Sequence, residues 1–292
     1  MSFLAQQIFW GAILPATITT VLLFFLWRAW RREGVSSHGG TPFALALGYL
    51  FAHWHIIGLP RTLPPVDSND WLFVGAMVFA VWGFIEHLMS HMRSWRHLGR
   101  LILVALVSWL VLRPLVGNVW QGASALFWIV SLAAGWWLWW SLQVRFSDEQ
   151  PGFLLPLTLS MVAGGGGFIL LWSNSSSLSQ MSGAVAAVAG ALVPLILWRL
   201  KGVTGAGGVA FLAGVLGLIW LEAIAFVPVP VWRIAAMALA SLIPLLALAP
   251  PLRRRSVWIA VGLCVLVTAA VLVAVMIPTY RAYVASAGAY GY

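Results

Sequence analysis

Long uninterrupted apolar runs separated by short polar breaks dominate the pattern of this chain. A membrane-crossing helix needs roughly 20 mainly apolar residues for about 30 Å of hydrocarbon. Ten runs meet that pattern: Phe9–Trp27, Pro42–Ile57, Trp71–Met89, Leu98–Val116, Ser124–Leu142, Gly152–Trp172, Gly183–Trp198, Ala206–Val227, Trp232–Leu248 and Val257–Ile277. The breaks carry charge, proline or serine, as in Arg31-Arg32-Glu33-Gly34, Pro60 to Asp70 and Pro250 to Ser256. The second run is the shortest, and the fourth holds Pro114 near its end. Continuous runs predict lipid-spanning helices, because the strands of a membrane barrel would alternate apolar with polar. The predicted fold is all-α: a polytopic integral membrane protein of ten transmembrane helices, a single transmembrane domain over residues 1–292.

Composition agrees. Of 292 residues, 62% are hydrophobic and only 8% charged, with a mean hydropathy of +0.97. Soluble domains carry about 25% charged residues, so a water-soluble globule is excluded. Cys264, the sole cysteine, lies in an apolar run and excludes a disulfide framework. The net charge of +9 points toward nucleic acid only if the cations cluster on a soluble surface, and they do not. Threading ten spans puts Arg28, Arg31, Arg32, Arg93, Arg96, Arg100, Arg145, Arg199, Lys201, Arg253, Arg254 and Arg255 on one side. Arg61, Arg113, Arg233 and Arg281 fall on the other. The positive-inside rule makes the first side cytoplasmic and places both termini outside. Met1 to Gln7 carries no positive charge and the basic cluster follows the first apolar run, which predicts a retained anchor rather than a cleaved signal. The expected setting is a bacterial cytoplasmic (inner) membrane, with the lipid bilayer as partner and no nucleic acid.

The first and sixth runs share a pattern, Gly-x-x-Leu-Pro-x-Thr-x-[Ser/Thr]-x-Val, at Gly11 to Val21 and Gly152 to Val162. Five helices per half is an odd number, so repeat halves 1–147 and 148–292 would be inverted, as in many secondary transporters. Glu86 and Glu222 fall late in the third and eighth runs, at similar distances from their starts. A chance match between apolar helices remains the alternative. In span number, length and a five-plus-five plan the chain resembles the drug/metabolite transporter superfamily by architecture, although that superfamily keeps both termini in the cytoplasm. Gly48-Tyr49, His53, Pro64-Pro65 and Asp70-Trp71-Leu72 also resemble a segment of multi-pass bacterial membrane proteins, a resemblance that implies no activity.

Ionisable groups within a bilayer are costly unless paired or hydrated, and are therefore functional candidates. Glu222 lies near the outer end of the eighth run, with Arg233 and Arg113 expected at the same side. Two readings follow: a structural ion pair, or a proton- or cation-responsive coupling carboxylate. Glu86, close to His87, His91 and Arg93, reads as a salt-bridge member near the cytoplasmic face. His87 and His91 have an i, i+4 spacing that suits a metal. His53 and His55 are expected at the opposite side, too far away to complete a ligand set, so no metal or other cofactor is predicted.

Most of the 19 tryptophans sit near run ends, where indoles anchor at headgroups. Trp136, Trp137, Trp139 and Trp140 crowd the fifth run and are expected to offer a contact surface to another membrane subunit or pigment. Gly164, Gly165, Gly166 and Gly167 interrupt the sixth run at mid-membrane, where a broken helix marks a substrate site in transporters; close helix packing is the other reading. Pro15, Thr17 and Thr158 are the further candidates for a polar substrate cavity. No phosphate loop, dinucleotide fingerprint, Cys-x-x-Cys or nucleophile elbow occurs, so an enzyme is not expected. The reading is a small-molecule transporter or permease with a mid-membrane site. Its alternative is a non-catalytic subunit or scaffold of a larger membrane complex.

Overall fold

A computed structural model describes residues 3–30, 39–65, 67–149, 152–198, 204–248 and 257–289. Arg31, Arg32, Arg199, Lys201, Arg253, Arg254 and Arg255 lie outside them. The described residues are almost wholly helical and include no strand. Helix α1 has an α-helical start (Phe3–Ile8), a π-helical stretch (Phe9–Ile13) and a longer α-helical part (Leu14–Trp30). There follow α2 (Thr41–Ile56), α3 (Ser68–Leu88), α4 (Arg93–Leu112), α5 (Gly122–Glu149) and α6 (Leu154–Trp172). The rest are α7 (Ser176–Leu197), α8 (Gly205–Phe226), α9 (Val231–Ala240) and α10 (Val257–Ala289). Eight helices among the described residues are long and apolar enough to cross a membrane, so the chain has the build of a multi-pass integral membrane protein. The two shorter ones are α2, at about 24 Å, and α9, at about 15 Å.

Two proline-directed irregularities shape the bundle. Pro15 has no N–H for the carbonyl of Gly11 and its ring crowds that carbonyl; α1 widens just before it, and the Leu14 N–H bonds to Phe9 O in the π pattern. Pro244 likewise leaves the Ala240 carbonyl without its helical donor. There α9 stops, turns through Ser241 and Leu242, and resumes as a 3-10 helix over Ile243–Leu248. The freed Ala240 oxygen accepts from Thr268 Oγ1 of α10 at 3.4 Å, and the next carbonyl, Ser241 O, accepts from Gln143 Nε2 of α5 at 3.3 Å.

The glycine-rich α8 forms the centre of the molecule, with α2, α3, α5 and α7 around it. It runs antiparallel to α3 at very short range. A Cβ on Gly207 would stand 2.5 Å from Gly83 O, and one on Gly214 would enter the ring of Phe79. Without water, the driving force for such packing is contact itself, and small residues permit it. Helices α6 and α7 also pack antiparallel, whereas α10 lies parallel to α6: Phe153 meets Trp258 at one end and Trp172 meets Tyr280 at the other. Between residues 1–147 and 148–292, α2 packs on α7, and α3 and α5 pack on α8.

The sixth run departs from expectation. Gly164 to Gly167 remain in continuous helix and do not break α6. Glycine costs about 1 kcal/mol against alanine in a water-exposed helix, but backbone groups in hydrocarbon have no solvent to turn to and stay internally bonded. The glycines instead let α7 approach, with Gly167 facing Ser179 O at 3.1 Å from its would-be Cβ. A break within an apolar run occurs instead in the ninth, after Ala240.

Candidate functional site

Glu222 is 1% exposed and both of its carboxyl oxygens are without a hydrogen-bond partner. With Phe211, Val215 and Ile219 it occupies one stripe of α8. Phe211 meets the ring of Tyr49 on α2 edge-on at 6.3 Å, so this stripe faces α2. Tyr49 is wholly buried, its hydroxyl also lacks a partner, and it lies within electrostatic reach of Glu222. Beyond Tyr49, at 6.5 Å between ring centres, stands His53. Its two ring nitrogens face the carbonyl oxygens of Gly58 (3.1 Å) and Asn69 (3.0 Å), tying the end of α2 to the start of α3. Tyr49 was not among the sequence candidates, yet a tyrosine within a short, small-residue helix is a signal that could have nominated it.

The remaining charged candidates are distributed differently. Arg233 lays its guanidinium over the Trp232 ring at 5.5 Å, and Arg113 is exposed in the 3-10 turn after α4. The ion pair found among the described residues joins Glu86 to Arg100. Arg100 donates from Nε to Oε1 (2.5 Å) and from a terminal nitrogen to Oε2 (2.8 Å), while Trp82 Nε1 donates to Oε1 at 2.7 Å. Both charges are buried. Antiparallel folding about the Met89–Met92 turn brings Arg100 back beside Glu86, two turns further along α4 than the nearby Arg93. His87 is half-buried and His91 exposed, and no group of three potential metal ligands converges among the described residues.

The polar-cavity candidates do not come together. Thr17 donates to Ile13 O at 2.8 Å and is exposed, while Thr158 donates to Leu154 O and Leu155 O within α6. Pro15 packs at the α1–α2 contact, where its carbonyl would meet a Cβ on Gly48 at 2.7 Å. Gly164, Gly165, Gly166 and Gly167 face Ala186, Leu272, Met237 and Ser179.

A cavity among the described residues lies elsewhere, between α5, α8 and α9, with a volume of about 430 Å³ and apolar walls that include Trp136, Trp139, Gly217, Trp220, Ile234 and Leu242. That volume is within the range of small-molecule sites, roughly 300–1,000 Å³. Three of the four clustered indoles, Trp136, Trp139 and Trp140, are buried within the chain. Trp136 donates to Ala213 O (3.2 Å), Trp139 to Ser241 Oγ (2.7 Å), and Trp140 packs its ring on Phe79 at 5.7 Å. Trp137 is half-buried and donates to His97 O at 3.1 Å. The spacing 136, 139, 140 is one helix face, a signal that was present in the sequence. Gln143 Nε2 joins Trp139 on the Ser241 hydroxyl (2.6 Å), which itself donates to Ala238 O at 2.7 Å. This node fastens α5 to the break in α9.

No protein-family model matches the chain, and no match is found among curated proteins or solved structures. The long apolar helices are those of a multi-pass integral membrane protein.

Proposed function

We propose that this protein is a small-molecule transporter of permease type in a bacterial cytoplasmic membrane, with Glu222 as its coupling group. One observation carries the reading: a fully buried carboxyl with neither oxygen bonded, on the stripe of α8 that packs toward Tyr49, whose buried hydroxyl is also without a partner. An isolated carboxylate away from water is very costly, so such a group is stable only with a proton or a cation on it. Exchange of that proton or cation is the chemistry the site can perform. The apolar cavity supports the reading from the other side of the same helix: Gly217, Trp220, Leu221 and Ile224 line it and lie opposite Glu222 on α8. A substrate there is apolar or amphiphilic and enters from the bilayer. On this reading the arginine-rich ends of the helices are cytoplasmic, both termini are outside, and the halves 1–147 and 148–292 are inverted counterparts.

The test is uptake into proteoliposomes under an imposed pH gradient, using a fluorescent fatty acid and a lipophilic acridine dye as probes. Wild-type protein is expected to accumulate at least one probe in a gradient-dependent manner, and Glu222→Gln to abolish that dependence while melting like wild type. Gradient-dependent uptake unchanged by Glu222→Gln would refute the assignment.

A further inference from the structure

We infer that the arginine-rich end of α4 binds the phosphate headgroup of an anionic bilayer lipid, in a niche bounded by α5. Helix α4 opens with Arg93, Arg96 and His97, and these share a stripe with Arg100. The same stripe continues as the buried face of α4 through Val104, Val107, Ser108 and Val111. The cations are therefore the outward end of an inward-facing stripe. The opposite side of the helix is apolar and exposed at Trp95, Leu98, Leu101 and Ile102.

Three observations give the niche its sign. Arg93, Arg96 and Arg100 lie within two turns on one face of α4, so their charges accumulate on that side of the helix. The carboxylate found beside them, Glu86, is already matched by Arg100 in the ion pair of the described residues. Arg96 Nε is buried without a hydrogen-bond partner. The N-terminus of this 20-residue helix adds its partial positive charge and free first-turn N–H groups, since Met92 supplies no side-chain cap. On the far wall, Trp137 holds the His97 carbonyl and the Ser141 hydroxyl stands 3.5 Å from His97 Nδ1, which orients the ring.

Charge complementarity calls for a compact anion with several acceptor oxygens, which a phosphodiester supplies. Trp95 and the exposed leucine and isoleucine side chains beside it select the lipid as its source: acyl chains lie along them while the headgroup reaches round to the arginines. Basic side chains at helix ends recognise anionic lipids in this manner. Asp148 and Glu149 end α5, and their side chains lie outside the described residues. As acidic residues of the same chain they are the alternative source of counter-charge, and the experiment decides between them and the lipid.

The full-length protein, stripped in neutral detergent, is titrated with phosphatidylglycerol or phosphatidylcholine of the same chains while retained lipid is read by native mass spectrometry. Phosphatidylglycerol is expected to bind at least tenfold more tightly, and Arg93→Gln/Arg96→Gln to lose about tenfold or more of that preference. Arg281→Gln, which removes a cation from an exposed position of α10, is the control for loss of positive charge away from the niche and is expected to leave the preference intact. Equal binding of the two lipids by wild type overturns the inference without recourse to any variant, and is the outcome if Asp148 or Glu149 neutralises the arginines. Equal losses from the double variant and from Arg281→Gln overturn it as well. Displacement of phosphatidylglycerol by millimolar inorganic phosphate would identify a free-phosphate site and overturn the assignment to lipid.

Discussion

Replacing Arg100 by methionine tests the Glu86–Arg100 pair directly. Methionine keeps most of the length of the arginine stem, so little cavity opens, but the carboxylate of Glu86 is left buried with Trp82 Nε1 as its remaining donor. Breaking a buried pair from one side costs about 3–5 kcal/mol, because an uncompensated charge stays behind. Removing both charges has the opposite expectation: apolar replacement of a buried pair is often neutral or stabilising by about 1–4 kcal/mol. Arg100→Met should therefore be strongly destabilised, and Glu86→Met/Arg100→Met should recover most or all of the loss. Unfolding in mixed dodecylmaltoside–SDS micelles, followed by tryptophan fluorescence, gives the free energies of wild type, Arg100→Met, Glu86→Met and the double variant in one cycle. A single variant within about 0.5 kcal/mol of wild type, the range of an ordinary surface change, would show that the pair is not buried as described. A double variant as unstable as the sum of its singles would show that the two charges do not act on each other.

Two further outcomes are expected from the same assay. Gly207→Ala should destabilise by about 1–3 kcal/mol, since its Cβ would press on Gly83 O, a backbone atom that cannot swing away. Gly164→Ala, whose Cβ would meet the Ala186 methyl at an ordinary 3.8 Å, should be neutral within about 0.5 kcal/mol; a loss matching that of Gly207→Ala would mean α6 must open at that residue in another state. Ser241→Ala removes the shared acceptor of Trp139 and Gln143. It should cost about 1–3 kcal/mol for the stranded Trp139 Nε1, Gln143 Nε2 keeping the Ser241 carbonyl, and unchanged stability and indole emission would show that this node does not hold α5 to α9.

How much of this was legible in the sequence depended on whether a feature is local. All ten apolar runs are helical, because a long apolar run in lipid has no other way to bond its backbone. The glycine run of α6 misled because glycine's cost in water was carried into a setting where the competing water is absent. The break that does occur was equally visible as Pro244 within the ninth run, and proline acts through its own missing N–H in either medium. Partnerships were less legible. Glu86 has Arg93 nearer in sequence, but an antiparallel hairpin pairs positions across its turn, which brings Arg100 within reach. Glu222 has Arg233 at the same side in a linear threading; the structure turns that guanidinium over Trp232 instead, and no sequence pattern specifies that rotation.

The packing of α8 links the proposed chemistry to a possible movement. Its Glu222 stripe faces Tyr49, and its other side forms a wall of the cavity with Trp136 and Trp220. A helix with a side chain at nearly every position packed against a neighbour moves as a body, since close-packed interiors shift between discrete arrangements rather than deform. On the α3 side the contacts at Gly75, Gly83 and Gly207 leave no room for approach. The freer side is the cavity, bordered by α9, a helix already divided at Ser241. Putting a charge on Glu222 would favour bringing it to a partner or to water, and filling the cavity would oppose motion of α8 in that direction. On the proposed reading, occupancy of the cavity and the state of Glu222 would be linked through one rigid element, and linkage of this kind is reciprocal. A hydrophobic ligand that enters the cavity should alter proton or cation exchange at Glu222, and Glu222→Gln should alter that ligand's affinity.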